Sequence, residues 1–430
     1  MRSEREIGKM NRLRQFAVFG VAACAIGQAY AQTAISSSAL SGSDYANKLN
    51  PITTAVPFLM ISPDSKQGAM GDVGAATDPD INAIHWNGSK LAFTEKDFGV
   101  GFTVTPWLRN LVPDINMYYV GGYGRLNKNQ VIGSSLRYFS LGNIDLTDAT
   151  GQHTGSIKPN EFALDLAFSQ KLSKNFGIGV AGRFVNSTIS RVFFNGSSGN
   201  AASTVAVDLS MYYRSEKFKL GDKKAIATGG LAFTNIGAKI KYSNDENFIP
   251  MNMRLGGGLR TFLDEYNAVA VYMDFNKLLV PTPPVYKKKV DPKTGLETTE
   301  DEIDPATGKK IILAGKDPNV DIATGILQSF SDAPGGMKEE MKEVNISTGL
   351  EYDYNNIFAV RMGYFHEPKT KGSRQYFTFG VGFKFKVINV DGSYLVPTSL
   401  QNPLQRTWRI TLSFNFDKFK ETSKEPAVTQ

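Results

Sequence analysis

From about residue 97 the chain is a series of runs, ten to thirteen residues long, in which apolar side chains alternate with small, polar or charged ones. A period of two puts successive side chains on opposite faces of an extended strand, so each run predicts a strand between an apolar and a polar surrounding. The clearest is 407–416. Trp408, Ile410, Leu412, Phe414 and Phe416 share one face, and Thr407, Arg409, Thr411, Ser413 and Asn415 share the other. Phe162, Leu164, Leu166 and Phe168 alternate likewise with Glu161, Asp165 and Ser169. Phe377, Phe379, Val381, Phe383 and Phe385 alternate with Thr378, Gly380, Gly382 and Lys384, and Val205 to Tyr213 with Thr204, Asp208, Ser210 and Arg214. Weaker runs begin near 97, 114, 130, 176, 225, 252, 266, 344, 357 and 387.

Strands of this length exceed the ~5–6 residues usual in soluble sheets. They match the ~9–11 tilted residues that cross a hydrocarbon layer. The pattern predicts an all-β fold, a transmembrane antiparallel β-barrel of about 14 strands with apolar faces toward lipid and polar faces toward the lumen. A large secreted β-sandwich is the competing reading. The connections favour the barrel through their asymmetry. With the first strand running outward, short links at 127–129, 173–175, 264–266, 355–356 and near Val387 fall on the periplasmic side. Longer ones, 107–113, 143–159, 189–203, 238–251, 279–343, 367–373 and 397–405, fall outside. The polar link 215–224 is the exception, long on the short side.

The remaining segments complete the domain organisation. Arg2, Arg5, Lys9, Arg12 and Arg14 precede an apolar run from Phe16 to Gly27, followed by Ala29-Tyr30-Ala31. That order is a signal peptide over 1–31, cleaved after Ala31. Val21-Ala22-Ala23-Cys24 loosely matches a lipoprotein box, but the apolar run continues past the cysteine and a better site follows. Residues 32–96 form a Ser-rich start and then a Gly- and Pro-punctuated segment that either plugs the lumen or covers its periplasmic mouth. Residues 97–417 are the barrel, and 418–430 a periplasmic tail. Within the extracellular insertion 279–343, Asp291-Pro292-Lys293-Thr294-Gly295 and Asp304-Pro305-Ala306-Thr307-Gly308 have hairpin-turn chemistry, and Gly335–Lys342 fits a short helix.

Composition then narrows the function. A hydrophobic share of 41%, with no apolar run near ~20 residues, excludes a helical multispan protein. The formal charge of +7 overstates the mature protein: the leader carries five basic and two acidic residues, leaving 43 minus 39, or +4. With export, this argues against nucleic acid as a partner. Loss of Cys24 leaves no thiol for a disulfide, metal or nucleophile.

No catalytic constellation is found. His85, His153 and His366 are scattered and read as ordinary loop or rim positions. Asp78, Asp80 and Asn82 lack the bidentate Glu of a calcium loop, and no cofactor or metal is expected. Gly68-Ala69-Met70-Gly71-Asp72-Val73-Gly74 lacks dinucleotide spacing and reads as backbone passing closely through a confined space. Arg137, Asp165, Arg183, Asp208, Arg214, Glu351, Asp353, Arg361 and Arg409 lie on polar faces, and their mixed signs predict a lumenal salt-bridge network. Asn87-Gly88-Ser89 and Asn195-Gly196-Ser197 are glycosylation matches with meaning only in a eukaryotic route.

Long stretches carry a family resemblance: Pro57-Phe58-Leu59-Met60-Ile61-Ser62-Pro63-Asp64-Ser65-Lys66, Gly68 through Thr77, His85-Trp86-Asn87 and Thr105-Pro106-Trp107-Leu108-Arg109-Asn110-Leu111-Val112-Pro113-Asp114. Ser135-Leu136-Arg137-Tyr138-Phe139-Ser140-Leu141-Gly142 and Pro159-Asn160-Glu161-Phe162-Ala163 continue it. The chain resembles the PorV (LptO) family, outer-membrane proteins of the type IX secretion system of Bacteroidetes. It departs at Trp86-Asn87-Gly88-Ser89, where relatives carry Asn-Pro-Ala, and in the insertion 279–343. The resemblance implies a FadL-like barrel in the outer membrane, without enzymatic activity. It also implies partners: the SprA (Sov) translocon barrel, the C-terminal signal domains of secreted cargo, and the PorU sortase. Contacts would come from the extracellular loops, with Trp107, Arg109, Phe193 and Phe194 as candidates because aromatics and Arg anchor interfaces well. The alternative is a FadL-like channel for hydrophobic small molecules.

Overall fold

The computed structural model describes residues 48–417 apart from 110–111, 113, 148–149, 151, 190–200, 243–245, 296 and 400–401. The expected leader 1–31, Phe193, Phe194 and the tail 418–430 lie outside the described residues. Fourteen strands make the wall: β1 (Phe98–Pro106), β2 (Asn116–Arg125), β3 (Gln130–Ser140), β4 (Asn160–Lys171), β5 (Phe176–Ser187), β6 (Ala202–Arg214) and β7 (Lys223–Gly237). There follow β8 (Asn252–Phe262), β9 (Asn267–Leu278), β10 (Val344–Tyr354), β11 (Phe358–His366), β12 (Gln375–Phe385), β13 (Ile388–Pro397) and β14 (Trp408–Phe416). Each pairs antiparallel with the next, and β14 returns to β1 from Phe98↔Phe416 to Val104↔Ile410. The result is a closed 14-stranded antiparallel barrel, which leaves no edge of unpaired amides for lipid to meet.

The alternation read from the sequence is the alternation of exposure. On β4 Leu166 is 66% exposed while Asp165 beside it is 0%. Register then turns the inward positions into partners: Asp165 sits opposite Arg183 across β4–β5, and Glu351 opposite Arg361 across β10–β11. A one-residue slip would break these pairs and turn each charge into lipid.

Short turns gather at the end where β1 begins and β14 ends, and long loops at the other. Four connections hold more structure than expected, among them 238–251, where Ile240–Lys241 pairs with Glu246–Asn247. Residues 144–147 and 153–157 pair within one outer loop. The 215–224 link carries its own strand, Phe218–Leu220, folded back on Lys223–Ala225. In the insertion, 288–290 pairs with 297–301 around the first turn, Ile303 bridges Lys310 around the second, and Gly295 and Gly308 adopt φ of 66° and 68°. Two helices follow there, one of them unexpected (Ile322–Gln328), the other at Met337–Lys342.

Candidate functional site: the filled lumen and the outer mouth

The interior is occupied by the chain that precedes β1. Residues 57–93 run as short turns: two 3-10 turns, Pro57–Met60 and Gly88–Phe93, and two single-turn helices, α1 (Ser65–Gly68) and α2 (Ala83–Trp86). Asp64 organises them. Its Oδ2 accepts the Gln67 N–H (2.9 Å), capping α1, and its Oδ1 accepts the Trp86 indole N–H (2.7 Å), tying α1 to α2.

Eight strands hold this segment. The Ser65 N–H donates to Thr411 Oγ1 on β14, Gly71 N–H to Thr378 Oγ1 on β12, and Gly74 N–H to Asp274 Oδ2 on β9. Thr228 Oγ1 of β7 donates to Ala76 O, Ser89 N–H donates to Ser210 Oγ on β6, and Ala92 N–H to Ser169 Oγ on β4. Arg137 of β3 reaches Leu59 O and Arg125 of β2 reaches Thr94 Oγ1. The glycines make the close approach physical. Gly71 has φ of 68°, and a Cβ on Gly74 would fall 2.3 Å from the Trp86 ring.

The lumenal charges pair as their mixed signs foretold. Asp165 takes Arg183 at 2.5 Å and Arg137 at 3.5 Å, and Arg183 also reaches Asp208 at 2.9 Å. Nearer the short-turn end, Arg361 bridges Glu351 and Asp391, both at 2.6 Å. Arg409 reaches Asp72 only at 4.0 Å. Several partners were not foreseen. Asp78 accepts from both Arg214 (2.6 Å) and Arg260 (2.8 Å), and Asp80 takes Lys66 at 3.2 Å. Asp78 is therefore a counterion of the wall, and Asp80 pairs within the segment itself. Among the described residues no cluster fit for a metal is present. Arg254 lies over the Trp86 ring at 4.4 Å. Arg254 and Arg260 share the polar face of a run the sequence already marked, which was the available signal. His85, expected on a loop or rim, is instead buried in the lumen with Nδ1 2.9 Å from Arg137, because α2 aims it at the wall. Asn87 is buried too, its amide donating to Ala75 O and Met211 O.

Below the segment a cavity of about 720 Å³ opens at the short-turn end. Asp78, Arg214, Arg260, Glu351 and Arg361 line it, so it is a charged vestibule.

At the outer mouth, the segment and loops pack together. Val56, Ile115, Ile249, Met251, Leu279 and Val280 form one buried apolar cluster, and Phe365, Tyr376, Leu395 and Leu404 another. Trp107 is half-buried and packs against both, with its N–H donating to Ile115 O at 3.0 Å, whereas Arg109 is exposed.

A buried ionic knot fastens the insertion. Lys277 binds Glu343 (2.7 Å) and Glu340 (3.1 Å), Lys371 binds Glu339 (2.6 Å) and Glu343 (2.9 Å), and Asn50 donates to Glu339 at 3.0 Å. Sequence reasoning missed this knot, although Lys277 at the end of the apolar row Val271, Met273, Phe275 is a visible break. Beside it Asp332 Oδ2 accepts the Thr282 N–H (3.0 Å), while burial, with Glu340 and Glu343 nearby, pushes its carboxyl up to about 6.

Comparison with known proteins adds the following. The family model described as "Type IX secretion system protein PorV" matches residues 44–285. No curated protein matches the chain. Among solved structures, the Ralstonia pickettii toluene transporter TbuX is 11% identical, with 82% of this chain and 98% of that one covered at a TM-score of 0.42. The Pseudomonas putida toluene transporter TodX is 14% identical, with coverage of 82% and 98% and a TM-score of 0.42. A Pseudomonas aeruginosa FadL homologue is 11% identical, with coverage of 85% and 99% and a TM-score of 0.38.

Proposed function

The chain belongs to the PorV family of type IX secretion system proteins, and from that premise we propose that this outer-membrane barrel is a binding and shuttle component with no reaction of its own. It receives the C-terminal signal domain of secreted cargo beside the SprA (Sov) translocon barrel and passes it to the PorU sortase. The leader over 1–31 delivers it through the export route. The observation that carries the reading is the occupied lumen. Residues 57–93 are bonded to strands all around the wall, which leaves the outer mouth, with its packed loops and pinned insertion, as the working surface. Trp107 and Arg109 are contact candidates there, and Phe193 and Phe194, which lie outside the described residues, stay candidates on their sequence alone. The rival reading, a channel for hydrophobic solutes, gains nothing from a vestibule lined by paired charges.

Deletion of the protein tests the choice. Several cargoes with the C-terminal signal should then be stranded in the periplasm while fatty-acid uptake is unchanged. Normal secretion with defective uptake would reverse the assignment. Mild detergent extraction of tagged protein followed by mass spectrometry should recover the translocon barrel, the sortase or cargo domains.

A further inference from the structure

The outward face of β9 presents Val271, Met273 and Phe275 to lipid, and the next outward position is Lys277, in register with Met253 and Val344. Lys277 is covered: its Nζ lies 5.8 Å from the centre of the Phe330 ring and is held by Glu340 and Glu343. The insertion therefore descends on the outer flank of the wall, at the upper margin of the apolar belt.

The surface it turns outward there has an unusual composition. In the helix Met337-Lys338-Glu339-Glu340-Met341-Lys342 both glutamates are buried against the knot. Met337 and Met341 are 70% and 71% exposed, and Lys338 is exposed between them. In the same segment Leu327 is 75% and Phe330 44% exposed. The acids face inward, leaving an outward surface of large apolar side chains set with lysine. An aqueous loop has no reason to expose four such side chains close together. A surface at the boundary between acyl chains and phosphorylated headgroups has one, because apolar groups settle at that depth while lysine reaches anionic phosphate.

We propose that segment 322–342 is a lipid-docking surface, with Leu327, Phe330, Met337 and Met341 seated in the outer leaflet and Lys338 pairing with the phosphate of a phosphorylated lipid. The assignment requires only the barrel, so it is independent of the cargo reading.

The test uses the full chain in a Cys24→Ser background, nitroxide-labelled at Met341→Cys or, as a control, at Lys293→Cys on the tip of the first hairpin of the insertion. The barrel is reconstituted into phosphatidylethanolamine vesicles containing lipid A. The label at 341 should be relaxed preferentially by oxygen and the label at 293 by a water-soluble nickel chelate. Equal access of the chelate to both positions overturns the proposal. So does shielding at 341 that rises with the protein-to-lipid ratio, which would mark a second copy as the occupant. In a second arm, Lys338→Glu should lower the lipid A retained per barrel through gel filtration at least about fivefold, the factor for losing one lysine near phosphate before any repulsion is added. Lys293→Glu should leave it unchanged. Equal retention by the two variants also refutes the assignment.

Discussion

Substituting Gly363 by alanine probes the seat of the lumenal segment directly. Gly349 on β10, Gly363 on β11 and Thr378 on β12 are neighbours across the sheet. Together they form a flat bed for Met70 and Gly71. A Cβ at 363 would stand 2.1 Å from both Gly71 N and Met70 C. Carbon contacts relax at ~3.5–4.0 Å, so the segment must lift by roughly 1.5 Å. That movement also breaks the 2.7 Å bond from Gly71 N–H to Thr378 Oγ1. Overpacking costs about 1–3 kcal/mol and the lost hydrogen bond about 0.5–1.5 kcal/mol. The seat is therefore weakened by about 1.5–4.5 kcal/mol, a shift of roughly 10- to 1,600-fold toward the lifted state. Gly392→Ala is the matched control, since nothing lies within 4 Å of a Cβ there. Urea unfolding in vesicles should show the loss for Gly363→Ala alone. Planar-bilayer recordings should show new ion conductance for that variant alone. Identical behaviour of the two variants in both assays would refute the bed.

Two further outcomes follow from buried carboxylates. Asp165→Ala leaves Arg137 and Arg183 buried without their shared carboxylate, and should cost about 3–5 kcal/mol; an equilibrium unfolding loss under about 1 kcal/mol would contradict the network. At Asp332 the sign runs the other way from a salt-bridged acid: a carboxyl raised to about 6 binds its proton more tightly folded than unfolded. Its contribution is complete below the ordinary carboxylate range and disappears as pH climbs through about 6. Protection against hydrogen exchange across 279–343, taken relative to the intrinsic amide rate at each pH, should thus be greater at pH 5 than at pH 8, and Asp332→Asn should flatten that difference. Equal protection of the wild-type insertion at both values removes the assignment.

The strand series was legible because lipid and lumen impose opposite demands on alternate positions, and the chain reports them residue by residue, as at Leu164, Asp165 and Leu166. The inward placement of Arg183 and Glu351 followed from the same alternation. The counterion that Arg214 and Arg260 share did not, because Asp78 comes from a segment of short turns with no period to read. His85 shows the limit clearly: nothing local distinguishes a histidine on a loop from one that a single helical turn aims at Arg137. The knot of Lys277, Lys371 and the three glutamates joins residues nearly a hundred positions apart through loop packing, for which the sequence offers no register. Asp291–Gly295 and Asp304–Gly308 were readable since a turn is a local object whose proline and glycine state its dihedrals.

The lumenal segment is better regarded as part of the wall's electrostatics than as an insert placed in a finished pore. Arg214 takes its carboxylate from Asp78, and Arg260 shares that same carboxylate while reaching Glu351 and Asp353. Withdrawal of the segment would leave Arg214 without that pairing inside the barrel, whereas Lys66 and Asp80 pair within the segment and would leave together. The segment is also anchored at both ends. Asn50 is bonded to Thr370 and Glu339 at the outer mouth, and Asp97 N–H donates to Phe416 O where β14 meets β1. Opening the lumen therefore means breaking buried ion pairs while both ends stay fixed. Each such pair resists rupture far more than it contributes to net stability. A barrel built in this way resists any opening of its lumen that displaces the segment.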